Sequence, residues 1–261
     1  MIDFRVTECV KFEAFRHAEV DQRGSRGPLH GSTLIRSHQA TTTPDRRRLR
    51  RSAVSDPMQL ARDERADLAA LLAGLDADQW NAPTLCTQWR VRDVVAHIVS
   101  YDDLGALGLA SRFAQGWFVP DRVNAVGVRH YASLTPEELL AEFGKHLEPA
   151  GLTAGFGGRI GLVDGLIHHQ DIRRSLGLPR DVPAERLDEA LPFARIAPPI
   201  RAFSRARGLR LVATDTGWSN GRGPVVEGPA EPLLMAIAGR PHALDELTGP
   251  GTATLAARLG R

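Results

Sequence analysis

The run Val163-Asp164-Gly165-Leu166-Ile167-His168-His169-Gln170-Asp171 puts two carboxylates and an imidazole on one face of a helix. At about 100° per residue, His168 stands roughly 40° from Asp164, and Asp171 roughly 20° from Asp164 on the other side. An Asp-x-x-x-His pair offers one hard oxygen and one borderline nitrogen. That mixture suits zinc or another first-row divalent ion once a third ligand joins from elsewhere in the chain, and His97 is the candidate. The competing reading needs no ion: Asp and His on helices commonly do no more than hydrogen-bond, and i,i+4 pairs of these types arise by chance. His169, about 100° further round, is expected to face solvent or a helix edge.

The elements that would carry these residues are legible from period and punctuation. An amphipathic helix begins at Met58 and runs through Leu60, Ala61, Leu68, Leu71 and Leu72 to Gly74. After Pro83, residues Thr87 to Ile98 read as a second helix with Thr87 or a neighbour as its cap. His97 lies there at the margin of an apolar stripe of Val91, Val94, Val95 and Ile98, so a hydrogen-bonded structural histidine is the alternative to a ligand. Thr135-Pro136-Glu137-Glu138 has the form of a capping box that opens a third helix. Ile160 to Leu176 forms the fourth, ending at Gly177, and a further helix covers about Ala184 to Ile196. Beyond Gly208 the character changes. Leu209 to Ala213 and Val225-Val226 read as strands, Pro232 to Ala238 as a short helix, Leu247 as a short strand and Ala253 to Leu259 as a last helix.

Three segments follow: a basic leader over residues 1–56, a helical bundle over 57–200 and a small α+β domain over 205–261. The leader has 11 Lys/Arg against 7 Asp/Glu and no sustained period, and is expected to be disordered. Met58, directly before the first good helix, marks an alternative start of translation. With a formal net charge of +2 over 261 residues and the basic excess confined to the leader, nucleic-acid binding by the folded part is not expected. No apolar run reaches the roughly 18 residues that a membrane span needs, so no membrane partner is expected. Two cysteines, Cys9 and Cys86, give no disulfide framework, which points to a cytoplasmic protein. Cys86 reads as a small packing residue rather than a nucleophile.

Pro83 to His97, with Trp89-x-Val91-x-Asp93-x-x-x-His97, resembles the Trp-x-Val-x-Asp-x-x-x-His pattern of the mycothiol-dependent maleylpyruvate isomerase family. Asp164-x-x-x-His168-x-x-Asp171 resembles that family's Glu-x-x-x-His-x-x-Asp segment, particularly its actinobacterial metal-binding branch. Gly228 to Arg240 resembles the motif of its C-terminal domain, a small fold similar to sterol-carrier domains. The likeness spans about residues 58 to 260. It implies a mainly α fold, a DinB-like four-helix bundle followed by a small α+β domain.

For the site, the resemblance implies a divalent metal, usually zinc, held by His97, Asp164 and His168. At position 164 the family has Glu and this chain Asp, one methylene shorter, so direct ligation requires a closer approach of the helices, or a bridging water. Asp171 is expected to accept the free ring N–H of a metal-bound histidine, or else to pair with Arg174 along the helix. Arg240 is expected to bind an anionic substrate or the thiol, or else to serve as a charge at a helix end. No catalytic residue is expected beyond the metal site. The implied activity is a mycothiol-dependent isomerase or S-transferase, with mycothiol as thiol cosubstrate and an electrophilic small molecule as substrate, in a monomer or weak homodimer. A non-catalytic metal-binding protein and a binding module for an apolar ligand are the competing readings.

Overall fold

A computed structural model describes residues 56–261; the reading of the leader falls outside them, except for Asp56. In chain order the helices are α1 (Pro57–Ala73), α2 (Ala77–Asn81), α3 (Val91–Val99), α4 (Ala106–Gln115), α5 (Pro120–His130), α6 (Pro136–Lys145), α7 (Arg159–Leu176), α8 (Ala184–Ile196) and α9 (Ala202–Ala206). Strands β1 (Arg210–Ala213), β2 (Ser219–Gly221) and β3 (Val225–Gly228) follow, then α10 (Ala230–Ile237) and α11 (Thr252–Arg258).

Helices α1, α3, α6 and α7 close a ring in which α1 packs on α7, α7 on α3, α3 on α6 and α6 on α1. This is the expected four-helix bundle, and the protein is mainly helical. Local chemistry sets its limits. The Asp56 carboxylate accepts from Met58 N at 3.1 Å, with Pro57 at the first helical position, so α1 starts where the sequence turns apolar. Thr135 and Glu138 form the expected reciprocal box at the head of α6. The chain enters α7 through Gly158 at φ +90, where a Cβ would lie 2.7 Å from the Met58 Cα. Glycine there relieves the left-handed backbone and lets α7 begin directly against α1.

Two expectations change. The second helix starts at Val91 rather than Thr87, because Gln88 sits at φ +74 and Asp93 accepts from Arg90 N at 3.0 Å. Helices α2, α4 and α5 were not foreseen. In the C-terminal part the sheet order is β2-β1-β3, with β1 antiparallel to β2 and parallel to β3, Leu211 facing Asn220 on one side and Val226 on the other. Around Leu247 the chain forms only a bridge between Thr248 and Glu227 in place of a strand. One apolar cluster runs from α1, α7 and α8 through β1 and β3 to α10, including Leu60, Leu166, Leu191, Leu211, Val226 and Leu234.

Candidate metal centre

Helix α7 is buried at every position from Ile160 to Ile172, so all its polar side chains in that stretch must find partners inside the protein. His97 on α3 is brought to it by the packing of α3 on α7. The approach is fixed by the loop before α3. Thr84 Oγ1 donates to Trp89 O at 2.9 Å and accepts from Cys86 N at 3.2 Å, while Leu85 N donates to the backbone oxygen of Asp171 at 3.3 Å. The loop is thereby tied to α7, and it lays the Trp89 ring 4.8 Å from the His97 ring and 6.3 Å from that of His168.

His97, Asp164 and His168 converge, although the first two stand 67 positions apart in the chain. His97 Nε2 lies 3.5 Å from Asp164 Oδ1, and His168 Nε2 lies 3.6 Å from the same oxygen. Two donors about 2.0–2.1 Å from a tetrahedral ion are about 3.3 Å apart, so these separations are close to what one shared ion requires. The shorter aspartate still lies within 3.6 Å of both imidazoles, His168 on its own helix and His97 through the approach of α3 to α7. Asp164 Oδ1 and His168 Nε2, together with His97 Nδ1, are buried and have no hydrogen-bond partner. Orphaned buried polar atoms are costly, and a cation between them would satisfy the oxygen and nitrogen at once.

Charge state favours the same use. Burial pushes the His97 imidazole below its ordinary value, with the charges of His168 and Arg112 adding to the effect and Asp164 opposing it. For Asp164 burial works against ionisation, but His168, His97 and Arg65 outweigh it and hold the carboxyl below its ordinary value. An ionised carboxylate beside a neutral imidazole is the electron-donating state that a metal needs.

Behind His168, Asp171 Oδ2 lies 3.0 Å from Nδ1, which leaves Nε2 as the nitrogen facing Asp164. Arg240, just beyond α10, donates to both oxygens of Asp171, Nε at 2.9 Å and Nη2 at 2.6 Å, while its Nη1 donates to Ala238 O at 2.8 Å. The alternative partner, Arg174, turns instead to Glu231 and Glu246. Burial alone would raise the Asp171 carboxyl, but Arg240 and His168 hold it down at about 2. All three guanidinium nitrogens of Arg240 are engaged, and the residue is buried.

His169 departs from expectation. It is fully buried, and its Nδ1 lies 2.8 Å from Glu64 on α1, which also accepts from Arg180 at 2.5 Å and Arg186 at 2.7 Å. Sequence reasoning also passed over Glu64, Arg65 and Arg112, and assigned no role to Trp89 or Tyr101. Only Trp89, held in the same motif as His97, carried a sequence signal.

Residues 61–150 match the family model described as the mycothiol maleylpyruvate isomerase N-terminal domain. The likeness to that family is carried by these residues. His97 and Trp89 fall inside the matched stretch, whereas Asp164 and His168 lie beyond it. An uncharacterized protein of Mycobacterium tuberculosis, found in strains CDC 1551 and H37Rv, is 28% identical over 152 residues, covering 54% of this chain and 78% of the relative. Among solved structures, mycothiol-dependent maleylpyruvate isomerase aligns at 14% identity and a TM-score of 0.47, over 77% of this chain and 94% of that one. Its histidine-to-alanine mutant aligns at 13% with the same TM-score of 0.47 and the same coverage. No helix of the described residues is long and apolar enough to cross a membrane.

Proposed function

We propose that His97, Asp164 and His168 hold a divalent metal, zinc by the chemistry of the donor set, and that the protein is a mycothiol-dependent isomerase or S-transferase. The observation that carries the metal is the convergence of buried, unsatisfied Oδ1 and Nε2 atoms at 3.6 Å. The thiol is supported by the domain family of residues 61–150. A zinc ion held by these three residues would supply Lewis-acid stabilisation of a thiolate.

The chain's own groups do the rest. Asp171 accepts the Nδ1 proton of His168 and so presents the Nε2 lone pair, and Arg240 holds Asp171 ionised and in place. Arg240 on this reading is a positioning residue, acting through Asp171, rather than the anion-binding residue that the motif alone suggests. Trp89 and Tyr101 pack around His97 and keep bulk water from the donors, which strengthens their electrostatics.

Metal analysis of purified protein, followed by thiol-transfer assays with mycothiol and with glutathione, tests the reading. The expected result is one ion per chain and turnover with mycothiol that His168→Ala abolishes together with the ion. Activity that persists in metal-free His168→Ala protein would overturn it. A second reading, a metal-binding protein without catalysis, is favoured by the burial of the three ligands, none more than 4% exposed. Stoichiometric zinc without thiol-dependent turnover across a panel of electrophiles would select it.

A further inference from the structure

The buried arginines of the described residues fall into two kinds. Arg65, Arg186 and Arg240 each pair with a carboxylate, on Asp102, Glu64 and Asp171 respectively, and Arg205 donates to the carbonyls of Ile200 and Ile237. Arg112, on α4, is different. It is 7% exposed, and its hydrogen bonds are to neutral hydroxyls, Nη1 to Ser100 Oγ at 3.1 Å and a second to Tyr101. Its Cζ lies 4.9 Å from the centroid of the Tyr101 ring, and no carboxylate of the described residues pairs with it. A guanidinium taken out of water without a counter-ion is held at a cost that a bound anion would offset.

The surroundings are built for an incoming group. Arg112 borders a cleft of about 520 Å³, which Ser100, Leu104, Arg129, His130 and Tyr131 also line. At Gly127 on α5 a Cβ would lie 2.6 Å from Ser100 Oγ and 2.9 Å from Arg112 Nη1, so glycine is what leaves the guanidinium room against that helix. The acid at the rim, Asp103, is directed to His146 at 3.4 Å. On the inner side, the Tyr101 ring that Arg112 covers meets the His97 ring edge-on at 5.8 Å, and the Tyr101 hydroxyl donates to Asn124 at 2.6 Å. One aromatic ring separates Arg112 from a candidate metal ligand.

We propose that Arg112 anchors an oxyanion, a carboxylate or phosphate group of a small-molecule ligand, in the cleft between α4 and α5, and thereby selects what is presented beside the candidate metal centre. Its consequence for turnover rests on the reading of that centre given above. The anion site itself does not, and is tested in metal-stripped protein. Calorimetric titration with succinate and with inorganic phosphate, at constant ionic strength, should give saturable binding of at least one. Saturable succinate identifies a carboxylate site, and saturable phosphate identifies a phosphate site. Arg112→Gln should weaken that binding at least tenfold, Arg112→Lys should retain more of it, and Arg210→Gln, an exposed arginine of β1 outside the cleft, should change it less than threefold. In parallel, the bound anion should raise the melting temperature of the wild type in proportion to the logarithm of its concentration above Kd, and should not do so for Arg112→Gln. Gly127→Ala, which fills the cradle without altering charge, should also weaken binding. Absence of saturable binding by both anions, or binding unchanged in Arg112→Gln, would overturn the proposal, whether or not the protein holds a metal.

Discussion

His168 and His169 are adjacent on α7 and both fully buried, yet they serve polar clusters of opposite character. On the His169 side, Glu64 is met by one imidazole and two guanidinium groups, and Arg186 continues to Asp67, so the buried carboxylate is fully paired. On the His168 side, Asp164 Oδ1 and His168 Nε2 have no hydrogen-bond partner, while Asp171 and Arg240 behind them are paired. The first arrangement is closed and joins α1, α7 and α8 as a structural clamp. The second is satisfied only at its back. A buried polar cluster complete within itself stabilises the fold; one incomplete at a single point is the arrangement on which the proposed metal site rests.

The largest effect should come from breaking the closed cluster. Glu64→Gln leaves Arg180 without its carboxylate and Arg186 with Asp67 alone, and should cost about 3–5 kcal/mol of stability, measured by denaturant unfolding of metal-free protein. It should leave metal stoichiometry unchanged. The carboxyl of Glu64 is opposed by burial, but His169 and Arg180 bring it down from 4.5 to about 2. A group lowered in the folded state stabilises fully above its unfolded value and loses that contribution as pH falls through its folded value. Wild-type stability should therefore fall between about pH 4.5 and 2, and the slope there should be shallower in Glu64→Gln. A variant with wild-type stability and an unchanged acid slope would show that the clamp is not structural.

A smaller effect, on affinity, should come from the back of the open cluster. Asp171→Asn removes the charge that fixes the His168 tautomer and pairs with Arg240, and should weaken zinc binding about 10–100-fold in competition with a chromogenic chelator. Arg240→Gln should move affinity in the same direction, since Asp171 would then be held by His168 alone. If both variants bind zinc as tightly as wild type, the arrangement behind His168 contributes only to packing.

How much of this contrast was readable beforehand depended on whether a residue's environment followed from its own helix. Asp164 and His168 were legible because i,i+4 spacing is a property of one helix, and the α6 capping box and the Gly177 stop were legible for the same reason. His97 needed the motif resemblance, because nothing in a local period says which distant helix will pack on α7. His169 was misjudged because a 100° offset implies solvent only when a helix has a solvated face, and α7 from Ile160 to Ile172 has none. Glu64 and Arg65 look like ordinary surface charge on an amphipathic helix; each is buried because α1 is covered by α6 and α8 as well as α7. Arg112 lies on α4, a helix whose apolar spacing did not stand out, so its isolation from any carboxylate was visible only in three dimensions.

The most delicate test of the comparison replaces Asp164 by leucine, which has nearly the same shape and no polar atoms. In a closed cluster such a change would strand partners and destabilise, as at Glu64. At Asp164 it removes a buried oxygen that has no hydrogen-bond partner, together with a carboxylate that burial disfavours and His168, His97 and Arg65 favour. An unsatisfied buried group costs about 1–3 kcal/mol and the attraction from its neighbours offsets that cost, so metal-free Asp164→Leu should lie within about 1 kcal/mol of metal-free wild type. It should also bind no zinc, so that adding zinc stabilises the wild type and leaves the variant unchanged. That pattern, a loss of binding without a comparable loss of stability, is expected where a residue is kept for a ligand rather than for the fold. Destabilisation of the metal-free protein instead would mean that Asp164 serves the fold as Glu64 does, and that the two sides of α7 are alike.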